Sequence, residues 1–173
     1  ALAILGFSGS LLHVLNHAIF KGLLFLGAGA AIHETGTREI DHLGGLIKRM
    51  PVTGATFVVG AAAISGLPPF NGFVSEFLIY VASFQGVLSL QGARVLLPLS
   101  VLIGMALIGS LAAACFAKVF GVVFLGTARS AHPLRAREAG ALMRSAMIAL
   151  AVLCVLLGLF PHVAFSIVRP AAC

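Results

Sequence analysis

Three titratable side chains stand at i, i+4 and i+8 in an otherwise apolar stretch: His13, His17 and Lys21, in LLHVLNHAIFKGLLFLGAGA from Leu11 to Ala30. On an α-helix that spacing puts them on one face, each above the last. The stripe is about 12 Å long. A Lys near the middle of a bilayer costs roughly 2.5–3.5 kcal/mol on insertion scales. The packing of an apolar helix does not ask for that cost. Histidine takes and releases a proton near neutral pH. The stripe is therefore a candidate for moving protons, with His13 and His17 leading into Lys21.

A second charge, Glu76, ends the sequence ISGLPPFNGFVSE. It falls in the first turn of the helix that this sequence predicts. The positive end of that helix favours the carboxylate, while desolvation opposes it. A carboxyl between these two effects can change protonation. Lys21 and Glu76 each lie about 12 residues from a polar end, roughly 18 Å in. The matched depth predicts that their spans touch and that both side chains face protein rather than lipid. Lys118 is a third candidate, roughly 10 Å from the surface. It either snorkels to the interface or ends the proton path.

These groups are positioned by membrane-spanning helices. The chain has 173 residues, of which 60% are hydrophobic and 9% charged, and its mean hydropathy is +1.12. Its apolar blocks are long enough to cross a bilayer, which excludes an ordinary soluble domain. The expected fold class is an all-α integral membrane protein with four transmembrane helices, at about 2–32, 52–88, 95–125 and 146–168. The second is broken at Pro68-Pro69. Each proline removes a backbone donor, Leu67 is pushed out of the α region, and Gly66 and Gly72 supply conformational freedom. Half-helices are expected at about 52–66 and 72–88. Backbone groups freed at that depth must be buried in protein or line a polar cavity, and broken helices of this kind build ion sites in transporters. Thr35-Gly36 is a helix stop.

The net charge of +6 reports loop orientation rather than nucleic-acid binding. Arg38, Lys48 and Arg49 lie in loop 33–51, and Arg129, Arg135, Arg137 and Arg144 in loop 126–145. The other side carries only Arg94 and Arg169. The positive-inside rule then makes both loops cytoplasmic, in a multi-pass protein of the cell (inner) membrane. Glu34 and Arg38 read as a solvated pair, and His33 and His42 as surface residues. Cys115, Cys154 and Cys173 are far apart and have no metal-ligand spacing. No metal site, bound cofactor or redox centre is expected in this chain. It opens at Ala1 inside an apolar block, without a basic leader or a small-residue cleavage site, and so reads as a piece of a longer membrane protein.

The motifs HVLNHAIFKGLLFLGAGA, IDHLGGLIKRMP, AISGLPPFNGFVSEFLIY and CFAKVFGVVFLGTAR resemble, in that order, the antiporter-like membrane subunits of respiratory complex I, Mrp antiporters and membrane-bound hydrogenases. The resemblance covers essentially the whole chain. It implies a larger core of helices, of which these are the last four, so the chain would be the C-terminal part of a proton-antiporter-type transmembrane domain. It implies a central proton carrier at Lys21, relay positions at His13 and His17, and Glu76 at a position held by Lys in some branches. It also implies proton or cation translocation in a subunit of a hydrogenase- or NADH:quinone oxidoreductase-type complex, coupled to electron transport. The partners would be other membrane subunits of that complex and the lipid bilayer. Two alternatives stand beside this reading: an Mrp-type cation/proton antiporter without redox coupling, and a structural bundle whose charges only direct assembly.

Overall fold

The computed structural model describes residues 2–163 and 166. Helix α1 runs over Leu2–Thr35, 34 residues. At 1.5 Å per residue it is about 51 Å long, more than the ~30 Å hydrocarbon core of a bilayer. It stops where Gly36 takes φ +70°, with its N–H bonded to the Ile32 carbonyl at 2.8 Å.

Two helices return along α1. A Cβ on Gly60 would touch Leu24, and one on Gly27 would touch Phe57, so α2 (Pro51–Ile64) lies against the C-terminal half of α1. Gly9 faces Leu78 and Gly6 faces Ala82, so α3 (Asn71–Ser89) lies against the N-terminal half. In both pairings residue numbers fall along one helix as they rise along the other. Helices α2 and α3 are therefore one path antiparallel to α1, interrupted between Ile64 and Asn71. The glycines at these crossings let the backbones approach closely, as helix contacts within a bilayer require.

Helix α4 covers Leu96–Val123, after a 3₁₀ turn at Gly92–Val95. A short α5 (Ala131–Arg135) precedes α6 (Ala141–Leu159). The last span starts earlier than expected. Gly140 opens it before 146, and regular hydrogen bonding ends at Phe160, just before Pro161. The end of that span at 168, and with it Arg169 and Cys173, lies outside the described residues. Among the described residues four helices are long and apolar enough to cross a membrane, within Ile4–Thr35, Asn71–Ser89, Gly92–Val123 and Ala141–Leu159. The fourteen-residue α2 is a shorter apolar helix that extends the path of α3. The all-α class and the broken second span follow.

Phe20, Leu23, Met50, Phe57, Phe124, Met147 and Cys154 form the buried core among α1, α2, α4 and α6. Met147, Ala151 and Cys154 recur at i, i+4 and i+7, which gives α6 its buried face. Helix α4 shows the opposite pattern. Leu97, Ile103, Leu107, Ile108 and Leu111 are all exposed and apolar, a surface suited to lipid or to other membrane helices.

The two basic loops meet at one end of the bundle. The N–H groups of Gly45 and Ile47 bond to the carbonyls of Leu125 and Phe124 at 2.8 and 3.0 Å. Arg129 donates to the Leu43 carbonyl and Ser130 to that of His42. Glu34 is paired with the neighbouring His33 at 3.1 Å, not with Arg38 as expected.

The same end fixes α2. This helix has Met50 at its N-cap, Pro51 at its first position and no cap of its own. The Glu138 carboxylate reaches it from the loop before α6. It accepts from the N–H groups of Val52 and Thr53, at 2.8 and 3.2 Å, and from the Thr53 hydroxyl. An acid there satisfies orphan N–H groups and meets the positive end of the helix dipole. Glu138→Ala is expected to cost about 1–2 kcal/mol, seen as a lower melting temperature in detergent. Glu138→Gln, which keeps an acceptor, should lose less. A Glu138→Ala protein that melts with the parent would refute the cap.

Candidate functional site

The break is built from glycine at three points. Helix α2 ends in a Schellman motif. The Leu67 N–H bonds to the Ala62 carbonyl at 3.1 Å, the Gly66 N–H to that of Ala63 at 3.2 Å, and Gly66 sits at φ +64°. Pro68 and Pro69 follow, joined by a cis bond, and Asn71 starts α3. Gly66 lies under the Glu76 carboxylate, where a Cβ would collide with Oε2. Gly72 faces the Ala63 carbonyl across the break. Gly158, on α6, lies against the Pro69 carbonyl and the Phe70 backbone. The first two glycines belong to the motif that marks the break in the sequence. Gly158 does not, and no local signal points to it.

Against this break α1 sets its stripe. His13 and His17 are half-buried with ring centroids 5.8 Å apart. The buried Phe20 ring meets both, at 6.3 and 5.1 Å. His13 Nδ1 is 3.1 Å from Ser75 Oγ. The Ser75 hydroxyl donates to the Gly72 carbonyl at 3.0 Å, so it accepts from His13. His13 then carries its proton on Nδ1, leaving Nε2 free to exchange one. One turn along, Asn16 Nδ2 donates to the Asn71 backbone carbonyl at 2.8 Å, and Asn71 Nδ2 donates to Asn16 Oδ1 at 3.2 Å. Asn16, Asn71 and Ser75 are all buried. They tie α1 to the first turns of α3, and the sequence reading passed over all three.

Spans one and two touch, as the matched depths predict, but Lys21 and Glu76 are placed differently. Glu76 is half-buried and turned toward the break, but α3 begins at Asn71, so Glu76 stands in its second turn and not in the first as expected. Lys21 is exposed on this chain. It lines a groove of about 260 Å³ among α1, α2 and α4, with Leu24, Phe25, Phe57, Ile64 and Phe116. Within this chain Lys21 faces that groove rather than the break. The cause is the rotation of α1: the face that buries Phe20, Leu23 and Leu24 against α2 turns Lys21 toward the groove. The histidine–carboxylate contacts among the described residues are His33–Glu34 and His42–Glu39, both at the polar end. Lys118 is exposed on α4, within two turns of the end at Val123. Its neighbours Phe116 and Val119 line the same groove as Lys21. Cys115 and Cys154 are free thiols.

A helix bundle with four spans long and apolar enough to cross a membrane, one of them continuing an interrupted path, defines the class: a polytopic membrane protein. Residues 1–102 match the family model described as NADH:quinone oxidoreductase/Mrp antiporter, TM, and the chain belongs to that family. It is 47% identical over 161 residues to formate hydrogenlyase subunit 3 of Escherichia coli K12, covering 91% of this chain and 26% of the relative. It is 44% identical over 162 residues to hydrogenase-4 component B of the same organism, covering 91% and 24%. To Na(+)/H(+) antiporter subunit A1 of Staphylococcus haemolyticus it is 40% identical over 178 residues, covering 98% and 21%. The chain thus spans about a quarter of the length of these curated relatives. Its fold matches a chain of the Mrp complex from Dietzia sp. DQ12-45-1b with a TM-score of 0.82 at 21% identity, covering 98% of this chain and 38% of that one.

Proposed function

We propose that this chain carries part of a proton path across the cell (inner) membrane. It does so as the C-terminal part of an antiporter-type subunit of a hydrogenase-4- or NADH:quinone oxidoreductase-like complex. Proton movement is coupled to electron transport in other subunits, which are its partners in the membrane. The observation that carries the reading is the juncture of the histidine rungs with the helix break. His13 bonds to Ser75, and the Glu76 carboxylate lies in the same break over Gly66. In this reading His13 and His17 relay, Lys21 is the central carrier, Glu76 takes the proton at the break, and Lys118 serves the polar end. Loops 33–51 and 126–145 carry Arg38, Lys48, Arg49, Arg129, Arg135, Arg137 and Arg144 against Arg94 at the other described end. That asymmetry supports a cytoplasmic position for both loops.

Glu76→Gln, in the full-length protein within its complex, tests the reading. The substitution keeps the shape and removes the ionisable group. Acidification of membrane vesicles coupled to turnover is expected to fall by about tenfold or more, with assembly intact. Parental acidification by an assembled Glu76→Gln complex would overturn it. The identity to a Na(+)/H(+) antiporter subunit supports a second reading, cation/proton exchange without redox coupling. A sodium gradient that moves protons with no electron donor present would favour that one.

A further inference from the structure

The start of α6 lies beside the start of α2, where Glu138 joins them. Both Glu138 oxygens are spent at this junction, on the N–H groups of Val52, Thr53 and Ala139 and on the Thr53 hydroxyl. Beyond it the two helices leave an apolar groove of about 310 Å³. Val59 of α2 and Ile148, Val152, Val155 and Leu156 of α6 are among its walls. From Ile148 to Leu156 it is about 12 Å long. Arg144 stands in line with it. Arg144, Ile148, Val152 and Val155 are at i, i+4, i+8 and i+11, on one face of α6. Arg144 is half-buried, one turn nearer the polar end than the groove. A helical side chain leans toward the start of its helix, which here is that polar end. The Arg144 guanidinium meets no carboxylate among the described residues.

The walls and the charges say what fits. A neighbouring membrane helix packs on small residues, which let backbones approach. Here Ile148, Val152 and Leu156 stand out from α6 as exposed walls, and the slot between such walls admits an acyl chain instead. The polar end carries Lys48 and Arg49 just before α2, and Arg137 and Arg144 around the start of α6. Glu138, between them, is already spent on α2 and its own loop. That excess of cations favours a headgroup of net negative charge over a zwitterion, whose ammonium the same cations repel. We propose that Arg144 and the groove between α2 and α6 bind one anionic phospholipid from the leaflet on the loop side. Its phosphate pairs with the guanidinium through two parallel N–H···O bonds. One of its acyl chains runs down the groove from Ile148 to Leu156. The site is independent of the proton-path reading, because no group of the stripe or of the break takes part in it.

The test uses the full-length protein in its complex, reconstituted in phosphatidylcholine vesicles that contain a little phosphatidylglycerol with a photoreactive diazirine in one acyl chain. After illumination the labelled residues are mapped by mass spectrometry. The parent should be labelled within Ile148–Leu156. Unlabelled phosphatidylglycerol should compete for that label, while added phosphatidylcholine and free glycerol phosphate should not. Arg144→Gln should lower labelling of the groove by about tenfold, the loss of one charge-assisted pair. Arg144→Lys, which keeps the charge without the planar fork, should lose less. Val152→Phe, which fills the groove and leaves Arg144 in place, should also remove the label. If Arg144→Gln fails to assemble, the competition in the parent and the Val152→Phe result decide. Equal labelling of parent and Arg144→Gln, or equal competition by phosphatidylcholine, would mean bulk lipid and overturn the proposal. Competition by glycerol phosphate alone would mean an anion site without a chain, and an unlabelled groove in the parent would mean that protein covers it. Either result would overturn it as well.

Discussion

Lys21→Ala in the full-length protein is expected to assemble with its complex and to stop pumping. The two outcomes separate because the side chain contributes little to this fold. Lys21 is exposed, while its neighbours Phe20, Leu23 and Leu24 are buried and hold α1 against α2. Ala is the best helix former, and removing an ammonium from mid-membrane relieves an insertion cost of roughly 2.5–3.5 kcal/mol. The proton stripe then ends at His17, and the groove among α1, α2 and α4 keeps only apolar walls, Leu24, Phe25, Phe57 and Phe116 among them. Acidification coupled to turnover should drop by about tenfold or more. Lys21→Arg should also be slow, because a guanidinium does not release its proton at physiological pH. Both rates are read in membrane vesicles with assembly checked by native electrophoresis. If both variants assemble and pump like the parent, Lys21 is dispensable and the stripe does not carry protons through it.

The sequence made the scaffold legible where local rules decide. Apolar length marked the spans, and Thr35-Gly36 marked the end of α1. Gly66 followed by Leu67-Pro68-Pro69 marked a helix that must end and restart, and the Schellman bonds at Ala62 and Ala63 are the form that ending takes. The stripe of His13, His17 and Lys21 followed from helical periodicity alone. What it could not give was direction. Apart from its stripe α1 is apolar nearly all round, so the sequence carries no cue to which side packs on α2. The residues missed were those whose partners are distant in the chain. Asn16 meets Asn71 across 55 positions, Ser75 meets His13 across 62, and Glu138 caps α2 across 86. Each is a common residue in an unremarkable local setting. Only the fold brings the partner.

Gly158 is the sharpest of these cases, and its substitution should have the largest effect on the fold itself. Helix α6 passes so close to the break that a side chain at Gly158 would run into the Pro69 carbonyl and the Phe70 backbone. Neither can move as the tip of a flexible side chain would, because both are main chain between α2 and α3. The buried face of α6 is fixed at Met147, Ala151 and Cys154, so the helix cannot tilt away without opening the core. Gly158→Val should therefore displace either α6 or the break and destabilise the protein by about 1–3 kcal/mol, as overpacking does elsewhere. The control is Gly104→Val on α4, where a Cβ meets nothing within 4 Å. Both changes add the same β-branched bulk to a helix, so the difference between them isolates the contact with the break. Melting in detergent should show Gly158→Val well below Gly104→Val, and coupled acidification by whatever complex assembles should be lower as well, since Asn71 and Glu76 are positioned by the same segment. Equal melting of the two variants would mean that α6 does not brace the break.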